Sequence, residues 1–315
     1  MASIFLTGAT GYIGGQVLHQ LAGSHPEYAI TALIRDSQAA ERIADAFPQI
    51  KTVVGDLDDS DLIEQEASQA SIVLTYWVQV SGASLLAVKE LASDSFKPGQ
   101  ASSEVFDDLD DASAIHSLIR ENPSRAIDNY ILDVANKSPS IKTALFFPPI
   151  IYGLGEGPGN KRSVQIPSLA KVTLEKGHGV RVGKGLSRWG NVHIRDLGQM
   201  LSAVTEAAAN GNKDESLWGE NGIYLLGVGK ELDFAEISDR VAWAAKERGL
   251  IDTPEIEEIT KPELMTGLPG GPVFFGSNAR SKARRAVELL DWKQVGESLA
   301  DEIPRVVEEE AKSRA

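Results

Sequence analysis

The stretch LTGATGYIGG, residues 6–15, constrains this chain more than any other. It follows a short apolar run, Ser3–Thr7, that reads as a buried strand. It precedes a segment, Tyr12–Ala22, in which Ile13, Val17, Leu18 and Leu21 recur at helical spacing. Gly8, Gly11 and Gly14 stand three apart. That spacing lets backbone N–H groups at a helix N-terminus approach a pyrophosphate without an obstructing Cβ. A tight turn with no ligand needs no such setting, so the strand–turn–helix context gives the glycines their weight.

The pattern repeats downstream. Ala29–Ile34 predicts a second strand and Lys51–Val54 a third. Ser37–Phe47 and Ser60–Gln69 predict helices with Ser37 and Ser60 at their caps, and Ile72–Thr75 predicts a fourth strand. Strict alternation implies parallel strands covered by helices on both faces, an α/β doubly wound Rossmann fold. The expected division is a dinucleotide-binding domain over residues 1–150 and a smaller substrate lobe over 151–315, with 187–228 returning to the first.

The alternation fails after Thr75. YWVQVSG, residues 76–82, reads as a further strand. A parallel neighbour cannot follow directly, because the return across the sheet takes about a dozen residues or more. Either Ile72–Val80 is one long strand or a crossover has been removed. Further on, helices are predicted over Ala112–Arg120, Ala126–Ala135, Ile166–Lys176, Leu197–Ala208, Asp233–Arg248 and Ala279–Leu290. KTALFF and GIYLLG predict strands, EGPGN a loop, and the tail EEEAKSRA a solvated or fraying end.

Composition narrows the function. With 45 acidic and 31 basic side chains the net charge is −14, which disfavours nucleic acid and anionic membrane surfaces as partners. Absence of cysteine removes disulfides, thiolate catalysis and thiolate metal sites, and the five histidines include no short-range ligand pair. No apolar run approaches the roughly 18 residues of a membrane span. The expectation is a soluble cytoplasmic protein with a small-molecule substrate, and a homodimer or a protein partner is left open.

TGxxGxxG in this setting resembles the extended short-chain dehydrogenase/reductase superfamily, including its NmrA-like and epimerase/dehydratase branches. VVGDLDD (53–59), PPIIYG (148–153), RWGNVHIRDLG (188–198) and GSNARSKARRAVELLDW (276–292) carry the resemblance over nearly the whole chain. It implies a nicotinamide dinucleotide held by Thr7, Gly8, Thr10, Gly11, Tyr12, Ile13 and Gly14, with Asp56 and Leu57 near the adenine and Pro148 farther along. Arg35, first after the second strand, suits a 2′-phosphate, whereas Asp36 suits a free 2′-hydroxyl; NADP(H) is favoured, with NAD(H) the alternative.

The family's chemistry uses Ser with a Tyr–Lys pair spaced YxxxK. Ser81 matches the serine, with Ser84 a second candidate. YxxxK is not found: its place falls near Glu121 and Arg125, and Tyr130 has Val134 four residues on. An arginine cannot act as that lysine, because its pKa is too high. Tyr152, just past a strand end, is a further catalytic candidate, and Arg188 matches a position that grips an anionic substrate group. His193 reads as structural, and the cluster Arg280, Lys282, Arg284 and Arg285 as solvated. The expected activity is reduction of a small carbonyl, or oxidation of the alcohol, with NADP(H). The alternatives are a non-catalytic NmrA-like regulator and a nucleotide-sugar epimerase or dehydratase. If a family crossover was deleted near Thr75, the sheet loses cover and the nicotinamide end loses a wall.

Overall fold

Three parallel strands begin the chain in the computed structural model, which describes residues 2–261, 263 and 265–314. β1 (Ser3–Thr7) is followed by α1 (Tyr12–Ser24), β2 (Ala29–Ile34), α2 (Ser37–Ala46), β3 (Lys51–Val54) and α3 (Ser60–Ala67). β1 pairs with β2 from Ser3 opposite Ala29, and β2 pairs with β3. The caps lie one residue earlier than the sequence predicts. Asp36 caps α2 by accepting from the Gln38 N–H at 3.0 Å, because a carboxylate serves a free helix amide as well as a hydroxyl does. Asp59 takes the cap position of α3, without a side-chain bond to it.

The predicted fourth strand is not one. Residues 71–74 form a short helical turn, α4 (Ser71–Leu74), and β4 (Tyr76–Val80) starts directly after it. The chain is pinned at this point by Ser3 and Ser71: the Ser71 N–H donates to Ser3 Oγ at 2.8 Å, and the Ser3 N–H donates to Ser71 Oγ at 3.1 Å. Ser71 therefore sits beside the start of β1, where a fourth strand would have continued. Ile72–Val80 is therefore not one long strand: its first residues are a helical turn and its last five are β4.

β4 belongs to a second sheet. After a 3₁₀ turn (Ala83–Ala87) come α5 (Val88–Leu91), β5 (Phe106–Asp107), α6 (Ala112–Arg120), α7 (Ala126–Lys137) and β6 (Lys142–Phe147). β6 lies parallel to β4, with Tyr76 opposite Lys142. The chain continues through β7 (Ile150–Tyr152), α8 (Gln165–Lys176), β8 (Gly179–Val182), β9 (Asn191–His193), α9 (Ile194–Ala209) and β10 (Ile223–Leu225). β10 pairs with the other side of β6, so the chain returns to this sheet from beyond residue 187. Among the described residues the strand orders are β1-β2-β3 and β10-β6-β4, and no ladder joins β1 to β4.

Two apolar cores flank β6. Leu145, Phe147, Ile223 and Leu225 point into one, Ala144, Phe146 and Tyr224 into the other. This alternation with both faces buried is what a parallel strand under helices requires. The remaining elements are α10 (Phe234–Glu247), β11 (Ile256–Ile259), α11 (Gly271–Gly276), β12 (Ser281–Lys282), α12 (Arg284–Leu290) and α13 (Leu299–Lys312). The predicted helix over Ala279–Leu290 is shortened, because Ser281 and Lys282 instead pair with Phe106 and Asp107. The tail continues α13 as far as Lys312, a helix with Glu308, Glu309 and Lys312 exposed and Glu310 buried.

Arg285 corrects the solvated reading of its cluster. It is 2% exposed, and its guanidinium donates to the carbonyls of Ile223, Ser216 and Asp108. Arg280 pairs with Glu231 at 2.7 Å and Arg284 with Asp110 at 2.6 Å. Arg285 ties α12 to β10, and Arg280 and Arg284 tie the segment to the loops that hold Glu231 and Asp110.

Candidate functional site

The glycine loop sits at the carboxyl end of β1. Gly8 has φ +75°, and a Cβ there would meet nothing within 4 Å, so the loop faces open space. Gly14 is a close-approach position: a Cβ would lie 2.2 Å from the Gly8 carbonyl oxygen. Gly11 caps α1 without a side-chain bond. The amides of Tyr12, Ile13 and Gly14 are in the first turn, where the helix offers them no carbonyl. Open space above undonated amides at the positive end of a 13-residue helix fits a diphosphate. Thr7 and Gly8 are exposed. Thr10 is half-buried and its carbonyl accepts from the Asn160 N–H at 2.9 Å.

Arg35 and Asp36 leave β2 side by side and are both exposed. Asp36 is engaged as the α2 cap. Arg35 has no ion-pair or hydrogen-bond partner for its side chain among the described residues. Beyond β3, Asp56 accepts from the Asp58 N–H at 2.8 Å, and Leu57 is 71% exposed. The loop, Arg35 and the Asp56–Leu57 pair thus line the carboxyl ends of β1, β2 and β3, the edge where open α/β sheets bind ligands.

A second group gathers at the carboxyl end of β4. The Ser81 N–H donates to Phe146 O at 2.8 Å, extending the β4–β6 ladder and fixing the serine at its tip. Ser81 Oγ donates to Asp128 Oδ2 at 2.9 Å. Arg125, preceding α7, donates from Nη2 to Ser84 Oγ at 2.8 Å, and its Nη1 lies 4.0 Å from Asp128 Oδ2. Burial drives the Asp128 carboxyl above the ordinary carboxylate range. The Ser81 hydroxyl and the Arg125 charge oppose that rise and only partly offset it. A cavity of about 290 Å³ opens here, lined by Gln79, Ser81, Ser124, Arg125, Ile127 and Asp128.

Other predicted residues are placed elsewhere. Pro148 is buried and its carbonyl accepts from the Ala83 N–H, so it braces the turn after β4. Tyr152 is 0% exposed. Its hydroxyl donates to Glu297 O at 2.8 Å, and burial raises its pKa far above the ordinary phenol value. It serves packing beneath the C-terminal helix, not a reacting atom. Tyr130 is 57% exposed and meets Trp77 edge-to-face. His193 is structural: its Nδ1 accepts from the Arg195 N–H at the cap of α9. Arg188 pairs with Asp233 at 3.3 Å and lines a separate, larger cavity of about 790 Å³ with Glu231, Arg280 and Lys282.

Sequence reasoning missed Asp128. Its signal was a carboxylate on the apolar face of a predicted helix, in step with Ile131 and Leu132, which are buried beside it. It also missed how the EGPGN loop packs on α1. A Cβ at Gly157 would strike the Gly15 backbone at 2.4 Å, and one at Gly159 would strike the Thr10 carbonyl oxygen at 2.1 Å. The Tyr12 hydroxyl donates to Gly153 O at 2.5 Å, which ties the glycine loop to the chain leaving β7.

A glycine-lined helix mouth at the edge of a parallel sheet is a dinucleotide-binding arrangement, and comparison with known proteins names the nucleotide. Residues 8–94 match a family model described as NAD(P)H-binding. The chain belongs to the extended short-chain dehydrogenase/reductase superfamily. It is 32% identical to the oxidase ucsJ of Acremonium sp. over 340 aligned positions, covering 98% of this chain and 97% of that protein. The aligned span exceeds the 315 residues here, so the relative carries residues that this chain lacks. In structure it is similar to a dTDP-glucose 4,6-dehydratase of Bacillus anthracis in complex with NAD (TM-score 0.64, 14% identity, 99% and 97% coverage). It is also similar to a UDP-glucuronic acid 4-epimerase of Bacillus cereus in complex with UDP-glucuronic acid and NAD (TM-score 0.62, 13% identity, 99% coverage of both chains). At those identities the two structures bear on the fold alone. Among the described residues no helix is long and apolar enough to cross a membrane, and no group of side chains is arranged to hold a metal ion.

Proposed function

We propose that this protein is an NADP(H)-dependent oxidoreductase of the extended short-chain type, acting on a small carbonyl or its alcohol. The observation that carries the reading is the division of labour after β2. Asp36 turns one carboxylate oxygen to the α2 cap, and Arg35 is left as an exposed cation beside the site of the adenosine ribose. A guanidinium there matches the doubly charged 2′-phosphate of NADP, while the second oxygen of Asp36 is the group that would serve the 2′-hydroxyl of NAD. The Acremonium relative, named an oxidase, supports the redox class.

Thr7, Gly8, Thr10, Gly11, Tyr12, Ile13 and Gly14 would hold the diphosphate, and Asp56 and Leu57 the adenine. A bound nicotinamide nucleotide supplies the hydride chemistry. Ser81 orients the substrate oxygen at the tip of β4.

Fluorescence titration with NADPH and NADH, followed by absorbance at 340 nm against a panel of aldehydes and ketones, tests the reading. NADPH is expected to bind more tightly than NADH. Arg35→Ala is expected to weaken NADPH by about 10- to 100-fold, on the order of 1.4 to 2.8 kcal/mol, and to leave NADH unchanged. Equal affinities in the parent protein would refute the NADP assignment. The absence of a tyrosine at Ser81 favours a second reading, a dinucleotide-binding regulator, and tight binding with no turnover on a broad panel would establish that one instead.

A further inference from the structure

We propose that Asp128 is the proton reservoir of this site and works through Ser81, in place of the family's tyrosine–lysine pair. This rests on the oxidoreductase reading above. Six tyrosines are present, and none is bonded to Ser81. Tyr12, Tyr76, Tyr152 and Tyr224 each spend the hydroxyl on a backbone carbonyl. Tyr28 stacks on His25, and Tyr130 lies on the exposed side of α7. The group that does meet the serine is a carboxyl that is 3% exposed, at the wall of a cavity on the ligand-binding edge of the sheet.

The relay balances. In alcohol oxidation the substrate hydroxyl gives its proton to Ser81 Oγ as the serine's own proton passes to Asp128 Oδ2. The C–H electron pair leaves with the hydride to the nicotinamide nucleotide, and a C=O bond forms. Reduction runs the same path backwards, drawing the proton from the Asp128 carboxyl. With the carboxylate ionised and accepting from the serine, the pair is ready for oxidation. Among the described residues, Arg125 is the charged group that pairs with Asp128. Arg125 holds Gly82 and Ser84 and is a positioning residue that tempers the carboxyl, since a guanidinium does not itself exchange protons near neutral pH.

The test has a binding readout and a kinetic one. The Asp128 carboxyl is followed by carbon-13 NMR against pH in the full chain with saturating NADP⁺ and then NADPH, using Asp128→Asn to assign the signal. Because the oxidised ring carries a positive charge and the reduced ring does not, the titration midpoint is expected to be lower with NADP⁺. An identical midpoint with both nucleotides overturns the proposal, since a carboxyl that only braces α7 would not sense the ring. With any carbonyl the parent protein turns over, Asp128→Asn should lower kcat by about 100-fold or more and remove the limb of the pH profile that Asp128→Glu retains and displaces. NADPH affinity should stay within about twofold. A pH profile unchanged in Asp128→Asn overturns the proposal while leaving the oxidoreductase reading standing. Failure of both nucleotides to bind defeats that reading, and this one with it.

Discussion

The two half-sheets are built to different standards. β6 and β10 are buried along almost their whole length, on both faces, with Phe146 stacked on Tyr224 at 4.6 Å. β1 and β3 are only partly covered, and β1 presents its free side to the gap before β4. The first half-sheet carries the glycine loop, Arg35 and the Asp56 turn; the second carries Ser81 at the tip of the partly covered β4, beside the buried β6 and β10. Recognition is thus mounted on the lightly packed half and stability on the dense half, joined by α1 packing on α9 and by the Tyr12–Gly153 bond. The missing ladder between β1 and β4 is where these roles separate.

The largest expected effect tests that separation directly. Phe146→Ala empties a fully buried site and should cost about 3 to 5 kcal/mol in urea or thermal unfolding. Gly8→Ala, at φ +75° but with nothing within 4 Å of the new Cβ, should cost only about 1 to 2 kcal/mol, yet raise the NADPH dissociation constant by roughly tenfold or more. Equal stability losses from the two would erase the contrast.

Asp108 offers a sharper probe of the dense half. Its oxygens accept from the Leu225 and Arg285 N–H groups in a fully buried setting, and burial pushes its carboxyl from 3.8 up to about 7. The folded chain then holds that proton more tightly than the unfolded chain. This contribution to stability is present at low pH and is lost as pH rises from about 4 to 7. Asp108→Asn should flatten that part of the melting-temperature profile, a difference on the order of 5 °C across the window. A parallel profile in the variant would show the carboxyl to be ionised throughout.

The smallest effect concerns the gap. Backbone amides of β1 that point away from β2 lack a strand partner, so they should exchange with deuterium roughly tenfold or more faster than those of β6, which is paired on both sides. Uniform protection across β1 would mean that the gap is closed in solution.

Much of this was readable in the chain itself. Local apolar periodicity placed β1, β2, β3, β6 and most helices, because a strand or helix buried on a given face must repeat at that element's own period. The glycine spacing announced the helix mouth, since φ +75° favours Gly and only Gly fits 2.2 Å from a carbonyl oxygen. The anomaly at Thr75 was also visible, as a strand with no room for its crossover.

What periodicity does not carry is which elements meet. That Ser71 would coil against Ser3 instead of pairing along β1, that Ser281 and Lys282 would pair with Phe106 and Asp107, and that Arg285 would be buried all depend on partners far away in sequence. The Ser81–Asp128 pair is of the same kind: 47 residues separate the two, and only the packing of α7 against β6 brings the carboxyl to the serine. Short-range order is set by steric and solvent preferences of neighbouring residues. A site assembled from distant ones exists only once the cores have closed around it.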